Sequence, residues 1–504
     1  MSNGVHLLQE YTERLKKQDL IAESTAAESI SQKKVAYVSY NSQDVKQDTL
    51  FICKGAHFKE AYLKAAMEKG AFAYISERKY EEAAAGAPCI IVRDMRKTIA
   101  LVADLFYNQA WKELTLIGIT GTKGKSTTAY FMRFILDCYL ESQRKPNSAV
   151  ISSIDTYDGV VNEESHITTP EALDLHRHYD NAVRSGIPFL TMEVSSQALK
   201  YDRTLGVTFD VGCFLNIGRD HISAVEHPDF EDYLKSKMIL FTQCQTACIN
   251  LDDHYADMAI AAARRHGARV VTFGKTEQAD VYGYAIKRSG QGISFRVKSD
   301  SFDEAFKIGM SGLFNVENAL AAIAICHSLN IPLEAVQKGL AEARVSGRME
   351  IFTDKNGRLP VIVDYAHNQM SFEALFTSTK EEYPGKKITI VFGCPGNKAL
   401  GRRKELGELA GKYADKAYLT EEDAGEEPVL DIAREIAAHV GKYNCQCEII
   451  TDREEAIRQA IRTAGGDTIV LITGKGRETR QKRGTQYVDT PSDVDYVEAF
   501  LAEE

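Results

Sequence analysis

The chain has 504 residues, more than one hydrophobic core organises, so roughly two to four domains are expected. Hydrophobic residues make up 44% and charged residues 26%, an ordinary balance for a soluble folded protein, and no apolar run approaches a membrane span. The formal charge of -10, from 61 basic and 71 acidic residues, argues against a general nucleic-acid binder but not against a nucleotide enzyme.

The first 20 residues read as a polar amphipathic helix without the apolar centre of a signal peptide. Short strands (KVAYVSY, DTLFICKG, AFAYIS, CIIVRD) and two helices fill the rest of residues 1–112. Residues 113–345 form a second block. It opens with the apolar strand 114–119 and alternates strands (SAVISSID, PFLTMEVS, VGCFLNI, ACINL, RVVTFG) with helices. Antiparallel strands over 279–310 and the helix VENALAAIAICHSL close it. The third block, 346–504, repeats strand and helix through PVIVDYA, KITIVFG, KAYLTE, CEIIT and TIVLITG, the pattern of a doubly wound parallel sheet. The ten cysteines are scattered, without the spacing of a zinc site, and read as reduced thiols of a cytosolic protein.

The segment GITGTKGKSTT at 118–128 joins a strand to a helix through a glycine-rich turn. Backbone N–H groups and the helix dipole there favour a phosphate. The loop Gly121, Thr122, Lys123, Gly124, Lys125, Ser126 and Thr127 offers a lysine for terminal phosphates and a hydroxyl for magnesium. Its spacing is shorter than the strict Walker pattern, which would need glycine where Ile119 stands. Glu193, ending a buried strand, is a candidate magnesium ligand. His221 lies in a polar strand-end loop with Asn216, Arg219 and Asp220, placed for metal ligation or orientation. Lys237, on a charged helix, reads from its neighbours alone as a solvated lysine. Asn315 and Asn318 begin a helix, where capping explains one, and two amides one turn apart can also read an adenine edge. Arg348 at a domain junction and Asp364 at a strand end could touch a nucleotide across a cleft.

Together GTKGKSTT, ITTP, MEVSSQAL, NIGRDH, EHPDFEDYLKSK, FNVENALAA, SGRME, VDYAHN and ITGKGRE resemble the Mur ligase family, and most its MurE branch, over nearly the whole chain. The resemblance implies an α/β protein of three domains: an N-terminal one for the uridine end of the substrate, a central ATPase and a Rossmann-like C-terminal one. It implies that ATP activates a carboxylate as an acyl phosphate, which an amino group then attacks. Lys125 would neutralise phosphate, Ser126 and Glu193 would hold one magnesium, and His221 would help hold a second. Lys237 matches a lysine that is carbamylated and serves the metal site, reversing the bland reading. Thr168, Thr169, Ser195 and Arg203 match positions holding UDP-MurNAc-peptide, and Ser42 and Gly55–Ala56–His57 match the uridine-side loop. Tyr201 stands where the family has glutamine. Asn318, Arg348 and Asp364 match adenosine contacts.

The pocket for the incoming amino acid departs from the diaminopimelate pattern. Asp-Asn-Pro-Arg is replaced by Glu422-Asp423-Ala424-Gly425, and a second arginine by Lys398. Bidentate grip on a distal carboxylate is an arginine property. The acidic run TEEDAGEEP suits a side-chain ammonium such as that of L-lysine, although the lysine branch usually has proline where Ala424 stands. Gly474 and Glu478 keep the pattern that grips the amino acid's α-groups. The expectation is a monomeric, cytoplasmic ligase that uses ATP and two magnesium ions to add L-lysine to UDP-MurNAc-L-Ala-D-Glu in peptidoglycan synthesis. The alternatives are the same chemistry with meso-diaminopimelate or another amino acid, or a nucleotide-binding regulator without turnover.

Overall fold

The computed structural model describes residues 6–503 apart from 26–27, 56–57, 85, 166, 221, 224–225 and 290–291. His221, Ala56 and His57 therefore lie outside the described residues.

Three principal sheets follow one another along the chain. The first has five strands in the order Ile21–Ser24, Cys89–Val92, Ala71–Ser76, Thr49–Ile52, Tyr37–Ser39. The strand Ile21–Ser24 was absent from the sequence reading, because four half-polar residues carry no usable alternation.

The second sheet has eleven strands, and its middle is parallel. Thr115–Thr120 lies between Phe189–Glu193 and Phe209–Phe214. Ile119 pairs with Glu193 on one side and Cys213 on the other, so the phosphate loop, Glu193 and the loop at 215–220 leave the sheet at one end. Carboxyl ends of parallel strands are where such sheets bind ligands. The strands Val281–Ser289, Gly292–Lys298 and Asp303–Ile308 are antiparallel, as expected.

The third sheet has six strands. Pro360–Asp364, Thr468–Thr473, Lys387–Phe392, Lys416–Leu419 and Gln446–Ile449 are parallel, with antiparallel Glu350–Thr353 at one edge. TLIGIT, KITIVF and TIVLIT read as continuous apolar runs because helices cover both faces, and all but their first residues are buried or nearly so. A hairpin of Arg480–Arg483 and Gln486–Asp489 follows. No described helix is long and apolar enough to cross a membrane.

Candidate active site

Gly124 has φ +83°, and a Cβ there would collide with Asn318 Oδ1, so only glycine fits the turn beneath the helix Lys125–Ser142. Asn216 braces the turn from the next strand end: its Oδ1 accepts from Lys123 N at 2.9 Å and its Nδ2 donates to Lys123 O at 3.2 Å. Thr122 Oγ1 lies 3.0 Å from the Tyr233 hydroxyl and accepts from Gly218 N at 3.0 Å. Lys125 Nζ folds back on Gly121 O at 2.9 Å and Thr122 O at 3.3 Å.

Lys237 corrects the reading made from its neighbours alone. It is 1% exposed, its Nζ donates to Gly121 O at 2.9 Å, and it lies 4.6 Å from the centre of the Tyr233 ring. Burial, then the charge of Lys125, holds its amine well below the ordinary lysine range. Burial also lowers Lys125, and brings Lys123 down to about 7.

Ser126 Oγ lies 3.0 Å from Ser153 Oγ, and Ser153 N donates to Glu193 Oε1 at 2.8 Å. The chain continues to the acceptor-side residues. Thr169 Oγ1 donates to Glu193 O at 2.9 Å and accepts from Ser195 N at 3.0 Å. Arg203 donates to Thr169 O at 2.8 Å and pairs with Glu171 at 2.6 Å, which also takes Lys54 at 2.5 Å. A cavity of about 920 Å³ lies beyond, lined by Lys54, Gly55, Arg96, Tyr201 and Arg203 among others. Tyr201 there carries the Arg96 guanidinium 3.7 Å from its ring centre. Ser42 is buried in the first sheet's domain, its carbonyl accepting from Lys69, and does not line that cavity.

A cavity of about 380 Å³ joins the second and third sheets, lined by residues 122–127, Ser153, Thr168, Glu193, Asn318, Arg348, Asp364 and His367. Arg348 stacks 4.3 Å from the Tyr365 ring. Both oxygens of Asp364 cap backbone N–H groups, at Met349 (2.9 Å) and Ala366 (2.8 Å), and burial raises its pKa. Asn318 donates to Asn315 Oδ1 at 3.0 Å. The sequence reading missed the contacts that cross this cleft. Asp220 takes Arg402 at 2.8 Å and also Asn368, and Lys123 Nζ lies 3.4 Å from His367 Nε2. DYAHN flagged the loop but not what it faces.

The neighbouring cavity, about 610 Å³, is lined by Thr168, Arg348, Tyr365, Asp423, Lys475, Glu478, Arg480 and Tyr487 among others. Glu478 accepts from the Tyr365 hydroxyl at 2.5 Å and pairs with Lys475 at 2.5 Å. The acidic run separates into roles. Glu421 is paired with Arg483, Asp423 with Lys475 and Glu427 with Arg403. Among the described residues Glu422 has no such ion-pair partner; it packs against Gly474, is 7% exposed, and is pushed up by burial to about 7 against the charges of Arg453, Arg402 and Lys475. Gly474 has φ +107°, and a Cβ there would strike the Glu422 carboxylate. Lys398 is exposed, and neither it nor Glu422 nor Gly474 is among the residues that line this cavity.

Among the described residues no three His, Cys, Asp or Glu side chains converge on a metal position. Ser126 and Glu193 nonetheless fit magnesium, which takes one or two protein oxygens and completes its shell with phosphates and water.

The family models for the Mur ligase middle domain and the Mur ligase glutamate ligase domain match residues 119–326 and 347–476. A UDP-N-acetylmuramyl-tripeptide synthetase of Lactobacillus delbrueckii subsp. bulgaricus is 38% identical, covering 95% of this chain and 96% of the relative. A UDP-N-acetylmuramoyl-L-alanyl-D-glutamate--L-lysine ligase of Enterococcus faecalis is 38% identical over 97% of both chains. A solved UDP-N-acetylmuramoyl-L-alanyl-D-glutamate--2,6-diaminopimelate ligase superposes with TM-score 0.66 at 25% identity over 99% of both chains. The chain belongs to the Mur ligase family, with its three-domain α/β fold.

Proposed function

We propose that this protein adds L-lysine to UDP-MurNAc-L-Ala-D-Glu, with ATP hydrolysed to ADP and phosphate, as a cytoplasmic monomer in peptidoglycan precursor synthesis. In this reading residues 1–112 receive the uridine end, 113–345 hold ATP, and 346–504 present the amino acid. The observation that carries the lysine assignment is Glu422: in an acidic run whose other carboxylates mostly have cationic partners, it is buried, without an ion-pair partner, and beside the glycine of the amino-acid loop. A buried carboxylate of this kind gains most from an incoming ammonium. No arginine stands at 425, where a diaminopimelate carboxylate would need one.

A free carboxylate is a poor acyl donor because oxide is a poor leaving group. Transfer of the γ-phosphoryl group to the D-glutamyl carboxylate gives an acyl phosphate. The lysine amine then attacks the carbonyl carbon, the tetrahedral centre collapses, phosphate leaves and the amine's extra proton is lost. The loop N–H groups and Lys125 offset the phosphate charge. Thr169, Ser195 and Arg203, linked to Glu193 by hydrogen bonds, hold the acceptor peptide against the phosphate loop. Asn318, Arg348 and Asp364 line the side given to adenosine. Glu478 and Gly474 hold the α-groups of lysine. Magnesium, two ions in this reading, supplies charge neutralisation across the phosphates when bound. Ser126 and Glu193 would hold one, and His221 with a carbamylated Lys237 would serve the other. The neutral, buried amine of Lys237 is the form that can add to carbon dioxide.

The test is the product's mass. Incubation with ATP, magnesium, the UDP-linked dipeptide and L-lysine should give a UDP-linked tripeptide heavier by one lysyl residue. Its absence, with the heavier diaminopimelyl tripeptide formed when diaminopimelate is supplied, would sink the lysine assignment. No product with any amino acid would favour a regulator.

A further inference from the structure

His227 stands upstream of Lys237 in the motif EHPDFEDYLKSK and is 0% exposed. It lies between two helices that serve different substrates. The helix Ser196–Lys200 follows Ser195 on the acceptor side, and the helix Phe230–Met238 carries Lys237. His227 Nε2 lies 3.0 Å from Ser196 Oγ on the first helix, and Nδ1 lies 2.6 Å from Asp232 Oδ2 on the second. Lys200, the last residue of the first helix, donates to the same Asp232 oxygen at 2.6 Å and to the carbonyl of Glu226 at 3.0 Å. One carboxylate oxygen therefore ties down both ends of the helix Ser196–Lys200, directly at its C-terminal end and through His227 at its N-terminal end.

A serine, a histidine and an aspartate bonded in this order would activate a nucleophile at an open site. Ser196 is 5% exposed and lines none of the cavities of the candidate site, so its hydroxyl meets no substrate. What the three residues do is join two helices. On one side, Ser195 N donates to Thr169 Oγ1 at 3.0 Å and Ser195 Oγ accepts from Ala198 N at 3.1 Å, so the acceptor-side serine caps the helix that Ser196 begins. On the other side, Tyr233 lies against the His227 ring, 5.1 Å between centres, and its hydroxyl lies 3.0 Å from Thr122 Oγ1 in the phosphate loop. Lys237, one turn further on, donates to Gly121 O. Transfer of a phosphoryl group needs the attacking oxygen in line with the leaving oxygen, and an error of about 1 Å costs about a hundredfold in rate.

We propose that His227 is a positioning residue for the acceptor: through Ser196 and Asp232 it fixes the helix behind Ser195 against the helix of Lys237, and so aligns the acceptor carboxylate with the phosphate to be transferred. This rests on the ligase reading above. In that reading the uridine end of the substrate sits in the first sheet's domain, which this bridge does not touch. Loss of His227 therefore costs the chemical step more than it costs affinity for either substrate.

The experiment measures kcat and KM for UDP-MurNAc-L-Ala-D-Glu in the full-length protein, with ADP binding by calorimetry alongside. His227→Phe keeps a planar ring and loses both hydrogen bonds. It should lower kcat about 10- to 100-fold, with KM within about threefold and ADP affinity within about twofold. His227→Gln, which keeps one amide to bond across the gap, should recover part of the rate. Ser196→Ala should also lower kcat, and adding it to His227→Phe should cost nothing further, because both remove the same bridge. An unchanged kcat in His227→Phe would overturn the inference. So would a fall in ADP affinity that matches the fall in kcat, since that marks general packing of the phosphate loop. Where His227→Phe does not fold, Ser196→Ala decides, and a normal kcat there overturns the inference. A wild type that forms no tripeptide with any amino acid would instead overturn the ligase reading itself, and this inference with it.

Discussion

Glu422→Gln removes one charge and almost no volume from the amino-acid loop. The carboxyl has its pKa raised from 4.5 to about 7 by burial, against the pull of Arg453, Arg402 and Lys475. A shift of this size means that ionising it in the empty protein costs about 3 kcal/mol. Because the folded value lies above the unfolded one, the stability this carboxyl contributes is complete below pH 4.5 and is lost as pH rises through about 7. A bound ammonium reverses that penalty, so lysine should favour the ionised form and release a proton on binding below pH 7. The assay is kcat/KM for L-lysine from pH 6 to 8 in both proteins. The attacking amine titrates in each, so the ratio of wild type to variant isolates Glu422. About a tenth of the carboxyl is ionised one unit below its pKa and about nine tenths one unit above, so the ratio should grow nearly tenfold across that range. At pH 8 the variant should be about 10- to 100-fold poorer, mostly through KM. A ratio near one, or one that does not change with pH, would refute the assignment of the side-chain ammonium to Glu422.

Lys237→Ala should abolish turnover, and a small carboxylic acid should partly restore it; a normal rate in the variant would dismiss the carbamate reading. Glu193→Gln keeps the hydrogen bond from Ser153 N but loses a charge at the magnesium position, so the magnesium concentration for half-maximal rate should rise about tenfold, and an unchanged titration would count against it. Gly124→Ala puts a Cβ against Asn318 at a φ of +83°, a strain of about 1–2 kcal/mol before the collision, so ADP affinity should fall about tenfold or more in a folded protein, as read by calorimetry.

The parallel sheets were legible because strands buried on both faces leave unbroken apolar runs, and the phosphate loop because strand, glycine turn and helix are contiguous in sequence. What depends on contact between distant segments was not legible. The helix Phe230–Met238 carries charged residues on several sides, and only its packing on the carbonyl of Gly121, 116 residues away, makes Lys237 a buried amine. The acidic run at 421–427 had one collective meaning in the sequence. Arg483, Lys475 and Arg403, drawn from other segments, pair with three of its five carboxylates, and burial then separates Glu422 from the exposed Glu426.

The central claim is tested most directly by phosphate release from ATP, with magnesium and UDP-MurNAc-L-Ala-D-Glu present and one amino acid supplied at a time. The account predicts release with L-lysine and background with meso-diaminopimelate. Release with diaminopimelate alone would contradict it.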